Sequence, residues 1–264
     1  MPSITVACNF FNEVHALPGF IESASQWADH ILMYNCGPRG EYSSDGSIEI
    51  CEKWGVDLRF GSIDEGFGVV RTKLIQMGPC EWTAIMDADE RIYRFAPRLL
   101  CRGTELYPQE RYPEFVDMKL SVEVVGVYDQ IATLRSLMRP EYDAIVTSRR
   151  HWQTWHFDRP SQNWHVEQDW QARILRNCAH VGYRPNIAMH EQLVDFRTNS
   201  TPNWYQPTPG NVEVFHDHYH LPVKRMEPEQ RQHDIAIYNQ IHEGKPPPTL
   251  FEFRGGLEPQ GGTA

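Results

Sequence analysis

Short apolar runs alternate with segments of helical spacing through the first third of the chain. Ile4 to Ala7, Ile31 to Tyr34, Val56 to Phe60 and Trp82 to Met86 are rich in β-branched, aromatic and apolar residues and are bounded by turn formers, which predicts four strands. Between them Leu17 to Trp27, Ser47 to Trp54 and Val69 to Met77 place apolar residues at helical intervals. The order is βαβαβαβ. Strands joined by helices imply a mostly parallel sheet, so the turns that follow the strands share one edge. Those turns are polar: Cys8 to Glu13, Asn35 to Gly37, Gly61 to Glu65, and Asp87 to Glu90.

The second half is less regular. Residues 96–140 mix prolines with apolar runs such as Val122 to Val127 and read as a variable insertion. Tyr142 to Trp155 reads as a strand pair with Ile145 and Val146 at its core. Glu227 to Ile241 is predicted to be helical, and the Pro/Gly-rich tail from Gly244 cannot hold regular structure. The expected organisation is a first half over 1–95, a second half of the same domain over 96–243, and a tail over 244–264.

Chemistry concentrates where Trp82 to Met86 ends, in Asp87-Ala88-Asp89-Glu90-Arg91. In an extended segment Asp87 and Asp89 point the same way. Two such carboxylates suit one Mg²⁺ or Mn²⁺ that is completed by phosphate oxygens; the other reading is a solvated acidic turn. Neither Gly-x-Gly-x-x-Gly after the first strand nor a phosphate loop with Gly-Lys-Ser/Thr is present, which argues against a dinucleotide enzyme or loop-type ATPase. Arg71, on the preceding helix, is either a surface arginine or a partner for a diphosphate. Arg149, Trp152 and Trp155 belong to a stretch dense in Trp, His and Arg, which either packs a second layer or forms a platform for an acceptor. His216, His218 and His220 recur at period two.

Composition narrows the field. The 264 residues carry a net charge of −10, so no overall field favours a phosphate backbone or anionic lipid. Six cysteines without a Cys-x-x-Cys pair suggest reduced thiols and neither a disulfide framework nor a zinc site. With no apolar run long enough to span a bilayer, the expectation is a cytoplasmic protein.

Val6 to Glu13, the Ser44-Asp45-Gly46-Ser47 turn, Arg71, Trp82 to Glu90, Arg173 to Asn177, Met189 to Leu193, and Val214 to His216 with Tyr219 resemble, in order and spacing, the family 2 glycosyltransferases of the GT-A fold. The resemblance implies metal-dependent, usually inverting transfer of a sugar from a nucleotide-diphosphate donor, UDP by default. It places Cys8, Asn9, Phe10, Asn12, Glu13, Asn35, Asp45, Arg71, Asp87 and Ala88 at the donor. It assigns Asp87, Asp89 and His216 to the metal and Glu191 to the base, with His190 beside it. The chain departs from the family pattern at Asn35, where an Asp is usual, and in a longer loop from Asn35 to Asp45. The acceptor would be a glycan or another hydroxyl-bearing substrate, with nucleic acid entering only as an acceptor such as a hydroxylated base. A nucleotidyltransferase is the alternative within the enzyme class; it normally has a Gly-rich basic loop, which Asn9-Phe10-Phe11-Asn12 lacks. A non-catalytic nucleotide-sugar or glycan binder is the alternative outside it.

Overall fold

A computed structural model describes residues 1–107, 117–153, 170–185, 192–206 and 214–220; within these, 96–107, 117–127, 148–153, 170 and 215–220 are described by their backbone alone. The elements in chain order are β1 (Ile4–Phe10), α1 (Leu17–Ser25), β2 (His30–Gly37), α2 (Ser47–Trp54), β3 (Asp57–Ser62), α3 (Phe67–Met77), β4 (Trp82–Ile85) and β5 (Glu90–Arg91). There follow β6 (Phe95–Tyr107), β7 (Asp117–Asp129), α4 (Gln130–Leu137), β8 (Ala144–Gln153), β9 (Trp170–Arg176), β10 (Val181–Tyr183), β11 (Leu193–Asp195), β12 (Trp204–Tyr205) and β13 (Phe215–His220).

The βαβαβαβ expectation holds. β3, β2, β1 and β4 lie side by side in parallel, and the same sheet continues through β9, β8, β13 and β5. β9 runs antiparallel to both β4 and β8, so β8 points the same way as β4, and β13 follows β8 in parallel. The result is the mostly parallel central sheet flanked by helices that was expected. The C-terminal ends of β1 to β4, β8 and β13 therefore share one edge.

Alternation in β1 explains how two cores form. Ile4, Val6, Cys8 and Phe10 face a core filled by Leu17, Phe20 and Ile21 of α1, Cys51 of α2 and Ile131 and Leu134 of α4. Ala7 faces the other, with Leu32, Val70, Leu74, Ile75 and Ile85. Burying both faces of a parallel sheet accounts for its near-continuous apolar strands.

One expectation is corrected. Tyr142 to Trp155 is not a strand pair: Ala144–Gln153 is one strand, with no Gly or Pro to turn it, and Ile145 and Val146 are buried as expected. Within the variable insertion expected over 96–140, the described residues form the antiparallel strands β6 and β7, a separate two-stranded sheet, followed by α4. Pro97 obscured the first strand; it is accommodated near the root of this pair, opposite Val127. The predicted helix over 227–241 and the tail from 244 lie outside the described residues.

Candidate active site

The turn after β4 is held by buried charge. Among the described residues two guanidiniums reach Asp87 from inside the protein: Arg71 of α3 pairs with its Oδ1, and Arg173 of β9 donates to Oδ2 at 3.1 Å. Arg173 also pairs with Glu90, whose side chain is 1% exposed. Glu90 in turn accepts the Asp87 N–H at 3.0 Å. Burial would lower the Arg173 pKa, but Glu90 and then Asp87 outweigh it, and the guanidinium is held more firmly protonated than usual. Two guanidiniums face two carboxylates in a confined space.

The expected extended geometry of Asp87 and Asp89 is corrected here. Residues 87–90 form a turn, closed by Glu90 N–H donating to the Asp87 carbonyl at 2.9 Å. Its cause is Arg91, which is fully buried, stacks over Phe20, and donates to the carbonyls of Ala88 at 2.6 Å, Glu90 at 2.8 Å and Ala16 at 2.7 Å. An arginine folded back on three carbonyls enforces a bend. Asp87 and Asp89 both remain partly exposed.

The β1 turn is welded to the start of α2. Asn12, with φ of 54°, accepts the Ser44 N–H through Oδ1, while its own N–H donates to Ser43 Oγ. Asp45 accepts from Val14 and Ser47, and Ser47 Oγ accepts from Glu13. Asn35 is fully buried, and its amide both donates to Ser43 Oγ at 2.6 Å and accepts the Ser43 N–H at 3.1 Å. In this structure Asn35 and Asp45 thus brace the long loop between them. Cys8 and Phe10 turn their side chains into the α1 core; burial, followed by Asp87 and Glu13, raises the Cys8 thiol well above its usual pKa. Asn9 differs, since its buried Oδ1 has no hydrogen-bond partner.

α3 also carries the root of the segment that holds His190 and Glu191. Tyr183 N–H donates to Thr72 Oγ1 at 2.8 Å, and Gly68 lies so close to the Arg184 carbonyl that a Cβ there would collide with it. Arg184 N–H donates to the Gln192 carbonyl at 2.9 Å, closing the base of the loop. His190, Glu191 and Trp155 themselves lie outside the described residues. The loop nevertheless starts from the helix that supplies Arg71.

For the histidines and the acceptor candidates the backbone register is informative. His218 is the partner of Glu90 and Asp217 of Arg91, so His216 lies on the side of Asp217 away from the Asp87 turn, and His220 lies beyond His218 toward it. His216 pairs with Arg149 and Tyr219 with Trp152. Arg149, Trp152 and the histidine strand thus reach the same sheet edge as Asp87. Glu90, Arg91 and Arg173 are the members sequence reasoning did not single out. For Arg173 the signal was a charged residue within an apolar run, Ala172-Arg173-Ile174-Leu175.

No protein-family model matches the chain. No curated protein sequence matches it either. Among solved structures it is similar to S. aureus TarS 1-349 in complex with UDP, at 10% identity and a TM-score of 0.43 over 92% of this chain and 65% of that one. It is similar to the Pyrobaculum calidifontis mannosyltransferase PcManGT in complex with GDP-Man and Mn²⁺, at 12% identity and a TM-score of 0.44 over 95% and 67%. The Mycobacterium tuberculosis glucosyl-3-phosphoglycerate synthase, in complex with Mn²⁺, UDP and glucosyl-3-phosphoglycerate, matches 34% of each chain at 17% identity and a TM-score of 0.28. At these identities the likeness concerns the fold alone.

Proposed function

We propose that the chain is a glycosyltransferase that moves a sugar, with inversion, from a nucleotide-diphosphate donor to a hydroxyl acceptor. The observation that carries this reading is the Arg71–Asp87–Arg173 unit, set at the C-terminal edge where α/β sheets bind ligands, beside an unmet acceptor on Asn9. The 1–95 half would hold the donor and the 96–243 half the acceptor. Asn9, Asn12 and Glu13 would meet the base or ribose, in a frame kept rigid by Cys8, Phe10, Asn35 and Asp45. Arg71 and the Ala88 main chain would meet the diphosphate.

The residues fit a divalent cation. Asp87 and Asp89 place two partly exposed carboxylates on one turn, the oxygen donors that a hard divalent cation takes. Asp87, Asp89 and His216 would hold Mn²⁺ or Mg²⁺, and the strand register brings His218 and His220 nearer the turn than His216. When bound, the ion neutralises charge that develops on the leaving diphosphate. Glu191 would remove the acceptor hydroxyl's proton, with His190 beside it, while Arg149, Trp152 and Trp155 grip the acceptor. The described cysteines are free thiols, in keeping with a reducing cytoplasm. No helix among the described residues is long and apolar enough to cross a membrane.

The test is a thermal-shift panel of UDP, GDP and their sugars, each with and without Mn²⁺. A ligand that binds only the folded state raises its stability by about 2.7 kcal/mol at a hundred times its Kd. The expected result is stabilisation by one nucleoside diphosphate, larger with Mn²⁺. No shift with any nucleotide under either condition overturns the proposal.

A further inference from the structure

At the opposite edge of the sheet, three ligand-bearing side chains converge from two places in the chain. Asp143 immediately precedes β8, and Cys178 and His180 lie in the turn from β9 to β10. His180 Nε2 is 3.5 Å from Asp143 Oδ1 and 3.6 Å from Cys178 Sγ, and all three ligand atoms lie within 4.8 Å of one another.

The arrangement is convergent, not a relay. A thiol–imidazole–carboxylate relay needs the thiol and the carboxylate on different ring nitrogens. Here both face the same Nε2. Tetrahedral zinc, with bonds of about 2.3 Å to sulfur and about 2.0–2.2 Å to nitrogen and oxygen, puts neighbouring ligand atoms roughly 3.3–3.6 Å apart. Both distances to His180 match that spacing.

The main chain fixes all three residues. Asp143 N–H donates to the Asn203 carbonyl at 2.6 Å, and the Asp143 carbonyl accepts from Arg176 at 2.8 Å. The turn is tied down by Asn177, whose N–H donates to the Glu81 carbonyl at 2.7 Å and whose side chain donates to the Gly78 carbonyl at 2.7 Å. Phe196 N–H donates to the His180 carbonyl at 2.8 Å. Arg176 donates to Asp143 Oδ1 at 2.9 Å and to the Pro140 carbonyl. Such an outer donor orients a ligating carboxylate. A bound cation would draw the Cys178 thiol into its thiolate form, and carboxylate and thiolate together would outweigh the single positive charge of Arg176.

We propose that Asp143, Cys178 and His180 bind a borderline-soft divalent cation of the zinc type, with the fourth position open to water. A mixed sulfur, nitrogen and oxygen set selects such an ion over Mg²⁺ or Mn²⁺, which prefer oxygen alone. The site is separate from the Asp87 edge and does not depend on the transfer reaction. Its occupant would staple the β9–β10 turn to the start of β8, and so stiffen the hairpin from which the 186–191 segment departs.

The test titrates Co²⁺, a spectroscopic stand-in for zinc, into the chelator-stripped full chain. A thiolate-to-cobalt absorption band that saturates at a single-site stoichiometry and is displaced by Zn²⁺ is the expected result. Cys178→Ser should abolish the band, and His180→Gln should weaken Co²⁺ binding at least about tenfold, the lower end of what even an outer-shell change costs. Asp87→Asn should leave the band in place, which separates this site from the one after β4. Absence of the band in the wild-type chain, or its survival in Cys178→Ser, overturns the proposal.

Discussion

Arg173 and Glu90 form an ion pair in the protein interior, with side chains 5% and 1% exposed, and the same guanidinium continues to the partly exposed Asp87. A charge fixed in the interior thereby positions a charge near the surface. Removing one partner of such a pair leaves the other buried and uncompensated. Arg173→Met should lower stability by about 3–5 kcal/mol in chemical denaturation. Arg173→Met with Glu90→Leu should recover much of that loss while leaving Asp87 without one of its partners. A double variant no more stable than the single one would show that the pair is not the cause.

Substitution at Asp89 allows metal binding to be tested apart from nucleotide binding. If both ligate an ion that the diphosphate completes, Mn²⁺ and UDP should each tighten the other's binding. Asp89→Ala should abolish that coupling while Arg71 keeps a residual, metal-independent affinity for UDP. Calorimetric titration of each ligand in the presence and absence of the other measures it; undiminished coupling in Asp89→Ala removes the residue from the metal site.

Glu191→Gln retains shape but cannot take a proton. It should lower kcat by at least about a hundredfold, the usual scale of general-base catalysis, with donor affinity unchanged. Near-normal turnover in this variant, with loss in His190→Ala, would reassign the base to the imidazole.

Gly68→Ala tests the link between α3 and the candidate base. The new methyl would meet the Arg184 carbonyl, so the hairpin must move or the helix must shift. An overpacking cost of about 1–3 kcal/mol is expected in the melting curve. Turnover should fall further than donor affinity, because Arg71 stays in place while the loop root is displaced. A Gly68→Ala protein with wild-type stability and turnover would show that the two elements are not coupled.

Asp195, at the end of β11, supplies a pH test. Side-chain hydrogen bonds from Arg197 lower its carboxyl from 3.8 to about 2. Since the folded state favours the ionised form, the stabilisation is complete above the unfolded value and is lost as pH falls through the folded one. The Tm difference between wild type and Arg197→Met should be constant near neutral pH and shrink between 3.8 and about 2. A difference unchanged by acid would mean the ion pair contributes nothing.

The first half was legible because its signals are local. Ser47–Trp54 matches its expected bounds at both ends, where Gly46 and Gly55 adopt left-handed backbone that stops a helix cleanly. The edge on which the polar turns gather followed from strand order alone. What was hidden depends on distant partners. The bend at Asp87 is set by Arg91 reaching Ala16, the amide of Asn35 is occupied by Ser43, and Arg173 reaches Glu90 across the sheet. The grouping of Asp143 with Cys178 and His180 comes from strands brought together by topology, and their spacing resembles no metal motif. His218 and His220 could be ordered relative to Glu90 only once the register of β13 was known.

The strands β6 and β7 leave the large sheet and return to it at one point. Phe95 pairs with Asp129, Arg94 binds the Asp129 carboxylate at 3.0 Å, and Gln130 N–H donates to the Arg94 carbonyl at 3.0 Å. An excursion whose two ends are neighbours can be lengthened, shortened or exchanged without altering the spacing of the strands beneath it. Evolution could therefore revise this appendage independently of the sheet, and an engineer could replace it with a short connection from residue 94 to residue 130. Descendants of such changes would share every strand of the large sheet and yet differ in length and in whatever the exchanged segment meets.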